Sequence, residues 1–262
     1  MYRTLELERA GAVATVWLNR PAVHNAFNAE LIAELSAVFG DLGNDESVRV
    51  MVLAGRGESF SAGADLNWMK AAAAASMAEN REDARRLAEM LRRLAELDRP
   101  TIARVHGAAL GGGMGLAAAC DICVASEKAS FAAPEVKVGI IPATISPYVI
   151  RAIGERQAYR YFQTAERISA ARAGELGLAH EVVGENVLDA KVGDIVAALL
   201  QGGPKAQAAL KELLRAVANR PVDDEVIEDT ARRIAALRAT PEAKEGLDAF
   251  LAKRPAAWVP QR

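Results

Sequence analysis

A cluster of glycines in the middle of the chain is suited to binding an anionic oxygen. Residues 107–121, GAALGGGMGLAAACD, lead from a strand-like run through Gly111, Gly112 and Gly113 into a helical pattern. Such a turn presents backbone N–H groups and the positive end of a helix dipole to a ligand. A sharp turn or close packing also selects glycine, so this segment alone leaves a functional and a structural role equally open.

A second segment of small residues repeats this arrangement. Residues 59–69, SFSAGADLNWM, follow another strand-like run and place a polar residue where a helical pattern begins. Two separate turns can each direct one N–H group at the same oxygen atom, which is the geometry that stabilises a thioester carbonyl as it becomes an enolate. The pair of turns therefore indicates an oxyanion hole more strongly than either turn alone.

Glu135 is a candidate general acid or base. It follows a proline in the apolar segment FAAPEVKVGIIP, residues 131–142. Apolar surroundings raise the pKa of a glutamate, and a raised pKa suits proton transfer. A salt-bridged glutamate at the protein surface is the alternative, and composition alone favours that alternative.

The elements that position these residues follow an α/β pattern. Short β-branched runs alternate with helical patterns in the first half of the chain, which favours α/β units over a helical bundle. We predict strands at residues 13–19, 49–55, 101–107 and 122–126. Both small-residue turns come after predicted strands, so the strands position them.

Two amphipathic helices are predicted between these strands. Asn28 is placed to cap the N-terminus of the first helix, and Gly43 is placed to end it. The second helix covers residues 81–97 and stops before Pro100.

The pattern after Pro147 is helical, and we expect no further strands there. Ser169, Pro204 and Thr240 with Pro241 have the residue types that begin helices. We therefore expect the last third of the chain to consist of helices.

Composition excludes several classes of function. The 262 residues are 51% hydrophobic and 25% charged, which is typical of a globular protein, and the net charge of -2 gives no field that would attract nucleic acid. The first 19 residues mix charged with apolar side chains and lack the apolar core of a signal peptide or membrane span. We expect a cytoplasmic protein with neither nucleic acid nor a membrane as partner.

The cysteines and histidines do not predict a metal site. Cys120 and Cys123 form one Cys-x-x-Cys without a second ligand pair, so buried reduced thiols are favoured over a redox or metal pair. His24, His106 and His180 are scattered, and each is expected to pack or to form a local hydrogen bond.

Taken together, the motifs resemble those of the crotonase superfamily of acyl-CoA enzymes over nearly the whole chain. The matching segments, in family order, are NRPAVHNAF at residues 19–27, FSAGADL at 60–66, GAALGGGMGL with CDI at 107–122, APEVKVGIIP at 133–142, RISAARAGELGL at 167–178 and AFLAKR at 249–254. The resemblance implies an α/β fold: a crotonase-like spiral of ββα units over residues 1–195, followed by a helical trimerisation region over residues 196–262. It also implies homo-oligomers, as trimers or dimers of trimers, and neither a metal nor a redox cofactor, since coenzyme A is part of the substrate.

The resemblance also implies roles for individual residues. It places the acid/base at Glu135 and the oxyanion hole at the backbone N–H groups of Ala64 and Gly112. The residues implied to line the substrate or coenzyme A site are Val23, His24, Ala62, Ala64, Asp65, Leu66, Gly111, Gly115, Ala143, Phe250 and Lys253. Of these, Phe250 and Lys253 match a C-terminal Phe-x-x-Lys motif that touches the coenzyme A of a neighbouring subunit in family members.

Two positions depart from the family pattern. Hydratases of the family use two glutamates; Glu135 matches the second, but Gly115 stands in place of the first. We expect the space beside Gly115 to admit a branched acyl group, and Gly115→Glu to favour short linear substrates. The loop PATISP, residues 142–147, is bulkier than the usual glycine-rich turn, and we expect Ala143 to offer its N–H to a water molecule.

The implied reaction is reversible addition of water across the 2,3-double bond of an enoyl-CoA, through an enolate held in the oxyanion hole. The motifs are most similar to those of bacterial methylglutaconyl-CoA and isohexenylglutaconyl-CoA hydratases of leucine and acyclic terpene breakdown. A lone glutamate is also the pattern of Δ3-Δ2-enoyl-CoA isomerases. A non-enzymatic module that binds acyl-CoA or RNA is a third alternative, although the near-neutral charge counts against RNA.

Overall fold

The computed structural model describes residues 2–260, within which the chain forms nine β-strands and eleven α-helices. The strands are β1 (Leu5–Ala10), β2 (Val13–Leu18), β3 (Val50–Gly55), β4 (Thr101–Val105), β5 (Ala108–Leu110), β6 (Ile122–Ser126), β7 (Ser130–Ala132), β8 (Ile168–Ser169) and β9 (Glu181–Val183). The helices are α1 (Ala29–Asn44), α2 (Leu66–Ala74), α3 (Met77–Glu96), α4 (Gly112–Ala119), α5 (Ser146–Ile153), α6 (Glu155–Thr164), α7 (Ala170–Leu176), α8 (Leu188–Gln201), α9 (Pro204–Val217), α10 (Asp224–Arg238) and α11 (Pro241–Leu251). These elements confirm the predicted α/β class.

The larger sheet places the candidate turns at one edge. Its strand order is β1-β2-β3-β4-β6-β9, in which β1 and β2 are antiparallel and every later pair is parallel. Parallel strands end at the same edge of a sheet, which is where ligands bind in open α/β folds. The segments that follow β2, β3 and β4 therefore meet there. A smaller sheet, β5-β7-β8, continues from this edge.

Both faces of the larger sheet are covered by apolar side chains. Along β3, Met51 and Leu53 point into the main core with α1 and α3, whereas Val50 and Val52 point into a second cluster. This alternation follows from the two-residue period of a strand. The second cluster is closed by Leu188 and other apolar residues of α8. A sheet buried on both faces gives the turns at its edge a rigid support.

The predicted domain boundary at residue 195 is wrong, because it lies inside α8. The apolar side chains of α8 extend past this point, through Val196 and Leu199, against the second face of the sheet. The whole helix thus belongs to the core, and the C-terminal helical region begins at Pro204.

Most of the predicted elements are confirmed with small shifts at their ends. The four predicted strands correspond to β2, β3, β4 and β6. Asn28 caps α1 by accepting a hydrogen bond from the Leu31 N–H at 2.8 Å, but the helix continues past Gly43 to Asn44. Helix α3 begins at Met77, earlier than predicted, because Ser76 and Glu79 form a reciprocal capping box.

The expectation that no strand follows Pro147 is wrong, since β8 and β9 both lie beyond it. They have two and three residues, too few to show a periodic pattern, and they form by pairing with β7 and β6. The predicted helix starts are confirmed: Ser169 and Thr240 cap α7 and α11, and Pro204 is the first residue of α9. Between residues 2 and 260 no helix combines the length and apolar character needed to cross a bilayer.

Candidate active site

The first candidate donor, Ala64, lies in a turn that is hydrogen-bonded to the segment that follows β2. Phe27 and Ala64 form an isolated parallel bridge, in which the Phe27 N–H donates to the Gly63 carbonyl and the Phe27 carbonyl accepts from the Asp65 N–H. Ala64 itself is exposed. In the described part of the chain its N–H donates to no other group, so this donor is free to meet a ligand.

The second candidate donor, Gly112, is the first residue of α4. It follows Gly111, whose φ of +50° places it in a region that favours glycine. The Gly111 N–H donates to the Ala132 carbonyl at 2.8 Å, which ties the turn to β7. The N–H of the first helical residue has no intrahelical partner. Among residues 2–260 the Gly112 N–H has no partner outside the helix either.

The two turns and Glu135 meet at Gly111. A Cβ atom built on Gly111 would lie 3.7 Å from the Cα of Gly63 and 3.1 Å from Oε1 of Glu135. Ser61 joins the two turns further back, because its carbonyl accepts from the Leu110 N–H at 2.8 Å. The structure therefore brings the predicted donors and the predicted acid/base into one site.

Glu135 is a half-buried residue at the start of the short 3₁₀ helix Glu135–Val138. Its Oε2 atom is buried and has no hydrogen-bond partner among the described residues, and within residues 2–260 its carboxylate forms no ion pair. Burial raises the pKa of Glu135 above its ordinary value. The salt-bridged alternative is therefore wrong, and the carboxylate is available for proton transfer.

The expectation of open space beside Gly115 is wrong. A Cβ atom on Gly115 would lie 2.3 Å from Cγ2 and 2.8 Å from Cβ of Ile145, which is 2% exposed. Ile145 thus fills the volume that was expected to admit a branched acyl group. Gly115→Glu is therefore not expected to favour short linear substrates, since the longer side chain would collide with the same residue.

Ala143 does not offer its N–H as expected. That N–H donates to the Ile141 carbonyl at 2.8 Å, in a tight turn around Pro142. Pro142 favours this turn because its ring fixes φ near the value that the central residue of an inverse γ-turn adopts. A water molecule at this place would need a different donor.

The segments predicted to bind coenzyme A lie together at the same sheet edge. Val23 and His24 are exposed after β2, and half-buried Ala62 donates its N–H to the His24 carbonyl at 2.9 Å. Leu66, the first residue of α2, is 74% exposed although it is apolar. These residues leave an accessible surface beside Ala64.

Asp65 positions the turn that carries Ala64. Its Oδ1 accepts from the Asn67 N–H at 2.9 Å and caps α2, and its Oδ2 accepts from the Arg20 guanidinium at 2.9 Å. Arg20 also donates to the Ala26 carbonyl. The hydrogen bond from Arg20 is the main reason that the pKa of Asp65 is lowered. These bonds hold the turn in place, and a contact between Asp65 and coenzyme A stays a prediction.

Phe250 and Lys253 lie apart from this cluster. Phe250 is 78% exposed near the end of α11, which packs on α10, and Lys253 is exposed just beyond it with a φ of +53°. A contact with the coenzyme A of a neighbouring subunit stays a prediction.

The two cysteines are free and buried, as predicted. Burial raises the pKa of Cys123 to about 12 and that of Cys120 well above its ordinary value, so both thiols stay protonated. In the region that the structure describes, no group of three or more His, Cys, Asp or Glu side chains is arranged to hold a metal ion.

The three histidines form local hydrogen bonds, as predicted. His24 Nδ1 lies 3.2 Å from the Ser59 hydroxyl, His106 Nε2 lies 2.8 Å from the Gly57 carbonyl, and His180 Nδ1 accepts from the Cys123 N–H at 3.1 Å. Their ring nitrogens thus serve to fix loops.

Sequence reasoning did not single out Asn25, Phe27 or Arg20 as parts of the site. Asn25 is fully buried, and its amide donates to the carbonyls of Arg56 and Ser59, both at 2.8 Å. A signal was present, because an asparagine in a loop tolerates positive φ, and Asn25 has a φ of +55°. The partners of such a residue are not visible in the sequence.

Comparison with known proteins agrees with this geometry. Residues 8–261 match the family described as enoyl-CoA hydratase/isomerase. The chain is 34% identical over 250 residues to the short-chain-enoyl-CoA hydratase of Clostridium acetobutylicum, covering 95% of this chain and 94% of that relative. It is 33% identical over 265 residues to the crotonyl-CoA hydratase of Syntrophomonas wolfei, covering 98% of each chain.

A solved structure of an enoyl-CoA hydratase from Shewanella pealeana resembles this one with a TM-score of 0.95 and 41% identity, covering 98% of this chain and 96% of that one. This likeness confirms the predicted crotonase-like fold. The matches extend over nearly the whole chain and include the segments that form the site, so the chain belongs to the enoyl-CoA hydratase/isomerase family of enzymes.

Proposed function

We propose that this protein adds water reversibly across the 2,3-double bond of an enoyl-CoA thioester. The observation that carries the proposal is the meeting of two free N–H groups, at Ala64 and Gly112, with the Glu135 carboxylate, whose Oε2 atom is buried and has no hydrogen-bond partner among the described residues. Two donors suit a thioester oxygen that gains charge, and the carboxylate suits a proton that must move beside it.

In the proposed reaction, one carboxylate serves first as general base and then as general acid. Glu135 takes a proton from water while the water oxygen bonds to Cβ, and the electron pair of the double bond moves onto the thioester as an enolate. The N–H groups of Ala64 and Gly112 donate to the enolate oxygen. Glu135 then returns the proton to Cα, so the chain ends in its starting state and coenzyme A stays on the product. This reaction draws only on groups of the chain, the substrate and water.

Binding of the coenzyme A part is proposed for the exposed surface around Val23, His24 and Leu66. The support is their position beside Ala64, which keeps the thioester within reach of the donors. Phe250 and Lys253 would complete the binding surface from a neighbouring subunit.

A second candidate function is migration of the double bond between the 3,4- and 2,3-positions. The observation that favours it is the filled space at Gly115: no second carboxylate can stand there without displacing Ile145. A single glutamate suffices to remove a proton from C2 and to deliver one at C4. Both reactions place negative charge on the thioester oxygen, in an enolate for hydration and in a dienolate for migration, so both use the same donors.

The acyl group is proposed to be a short enoyl chain. The names of the relatives support this class, since they refer to short-chain-enoyl-CoA and crotonyl-CoA hydratases. The alternative acyl group, a 3-methylglutaconyl chain, is supported by the resemblance of the motifs alone. The space at Gly115 that was expected to favour this chain is occupied by Ile145.

The proposal is tested by assaying crotonyl-CoA and 3-methylglutaconyl-CoA for hydration and 3-hexenoyl-CoA for double-bond migration. We expect hydration of at least one 2-enoyl-CoA, and loss of both reactions in Glu135→Gln, by about 10²- to 10⁴-fold for a lost general acid/base. Glu185→Gln is the matched control, since Glu185 pairs with Lys128 at the surface and should leave the rate unchanged.

Each outcome decides between the candidates. Rapid migration without any hydration would replace the hydratase with the isomerase. Hydration at a near wild-type rate in Glu135→Gln would show that another residue is the base.

A further inference from the structure

The backbone of Phe27 fixes the direction of the first oxyanion donor. The Phe27 N–H donates to the Gly63 carbonyl at 2.6 Å, and the Phe27 carbonyl accepts from the Asp65 N–H at 2.8 Å. In a trans peptide the C=O and the following N–H point in opposite directions. The bond that draws the Gly63 carbonyl toward Phe27 therefore turns the Ala64 N–H away from Phe27, where a ligand can reach it.

The ring of Phe27 packs beside Gly112, the residue of the second donor. A Cβ atom built on Gly112 would lie 2.9 Å from Cε2 and 3.1 Å from Cδ2 of Phe27. The ring therefore lies against the place where a Cβ atom on Gly112 would be and leaves no room for a methyl group. Since Phe27 is 1% exposed, it is held in this place by the main core.

Phe27 is also held firmly along the chain. Two residues before it, the Asn25 amide binds the carbonyls of Arg56 and Ser59. One residue after it, Asn28 caps α1. Because the chain is fixed on both sides of Phe27, this residue can hold both turns at a constant position relative to the sheet edge.

We infer that Phe27 is a positioning residue that sets the separation of the Ala64 and Gly112 N–H groups, one through its backbone and the other through its ring. This inference rests on the proposed function, in which both groups bind the same oxygen. A smaller side chain at residue 27 keeps the backbone bridge but lets α4 shift toward the vacated space. The two donors then no longer fit one oxygen.

The first experiment compares Phe27→Leu with Phe39→Leu. Phe39 is a phenylalanine of α1 that is likewise 1% exposed, so both variants lose similar core packing. We expect kcat for hydration of crotonyl-CoA to fall about 10- to 100-fold in Phe27→Leu, since a shift of roughly 1 Å costs up to about 10²-fold. The dissociation constant of coenzyme A, which lacks the acyl carbonyl, should stay unchanged, and kcat in Phe39→Leu should stay close to wild type.

A readout without turnover separates this inference from the proposed function. Butyryl-CoA labelled with ¹³C at the thioester carbonyl has no double bond to hydrate, and hydrogen bonds to its carbonyl lower the infrared stretching frequency. We expect a lowered frequency on the wild type and partial loss of that shift on Phe27→Leu. An unchanged shift on Phe27→Leu would overturn the role of Phe27 while leaving the oxyanion hole in place. No shift on the wild type would overturn the oxyanion hole, and the inference with it.

A further test starts from Gly112→Ala, a variant that keeps the Phe27 ring. Gly112→Ala alone should lower kcat, because its Cβ would collide with the ring of Phe27. Adding Phe27→Leu to Gly112→Ala makes room for that Cβ, and we expect the double variant to recover part of the rate and of the melting temperature. A double variant slower than Gly112→Ala alone, with both proteins folded, would show that the ring does not set the position of Gly112.

Discussion

Glu135 lowers the stability of the fold, because its proposed role requires a partly buried carboxylate. A partly buried carboxylate is less stable as an anion than one in water, and burial raises the pKa of Glu135, whose Oε2 atom has no hydrogen-bond partner among the described residues. Proton transfer near neutral pH benefits from the same property. Activity and stability therefore make opposite demands on this one residue.

We predict that Glu135→Gln is more stable than the wild type at pH 8 and that the difference shrinks toward pH 4. Below the ordinary value of 4.5, Glu135 is neutral in both folded and unfolded chains, so it resembles glutamine. As the pH rises through the interval up to its raised folded pKa, the unfolded chain ionises first and the wild type loses stability. Glutamine does not titrate. Melting temperatures of both proteins from pH 4 to pH 8 measure the difference, and each kcal/mol corresponds to about 2 to 4 °C.

Glu185→Gln is again the control. Its ion pair with Lys128 lowers the pKa of Glu185, so replacing it should give no gain in melting temperature at pH 8. A wild type as stable as Glu135→Gln at pH 8 would mean that the Glu135 carboxylate is better solvated or paired than the structure shows.

At the scale of elements, the packing of α4 against α5 depends on a missing side chain. Gly115 lies within α4, and Ile145 directly precedes α5. Their contact lets the two helices approach closely behind Gly112. The glycine is therefore needed for packing, which is the ordinary structural reason for a glycine inside a helix.

We predict that Gly115→Ala destabilises the fold by about 1 to 3 kcal/mol, as overpacking does, despite the better helix propensity of alanine. Gly193→Ala in α8 is the control, since a Cβ there meets no atom within 4 Å, and it should be neutral or stabilising.

Ile145→Ala alone should lower the free energy of unfolding by about 2 to 5 kcal/mol. The double variant should cost less than the sum, and denaturant unfolding would measure this. Additive costs would show that the two residues do not compete for the same space.

The same two elements show how far the sequence predicts this site. Strands β2, β3, β4 and β6 of the larger sheet and the two small-residue turns are visible because each depends on local residue types. The contact of Gly115 with Ile145 joins residues far apart in the chain, so a glycine in place of a glutamate looked like an open pocket. Strands β8 and β9 and the role of Phe27 were missed for the same reason, since only tertiary pairing creates them.

At the scale of the whole molecule, the C-terminal helices are tied to the core by polar contacts and leave apolar side chains outside. The Arg49 guanidinium donates to the carbonyls of Gly202 and Trp258, and the Lys211 ammonium lies 2.7 Å from the Asp121 carboxylate. The exposed apolar residues of this region include Leu210, Leu214, Ile227, Ile234, Leu247, Phe250 and Leu251. Apolar surface on several helices of one region is typical of an interface between subunits.

We predict that the protein is a trimer or hexamer, with a mass in light scattering of about three or six times the chain mass of 27.8 kDa.

In such an assembly Lys253 of one subunit would contact the coenzyme A bound by another. A contact remote from the reacting carbon affects binding of the substrate more than its conversion. Lys253→Ala should therefore raise KM for crotonyl-CoA several-fold with kcat nearly unchanged, whereas Lys244→Ala, an exposed lysine on α11, should change neither. A monodisperse monomer with full activity would contradict the assembly, and a fall in kcat at constant KM would contradict the role of Lys253.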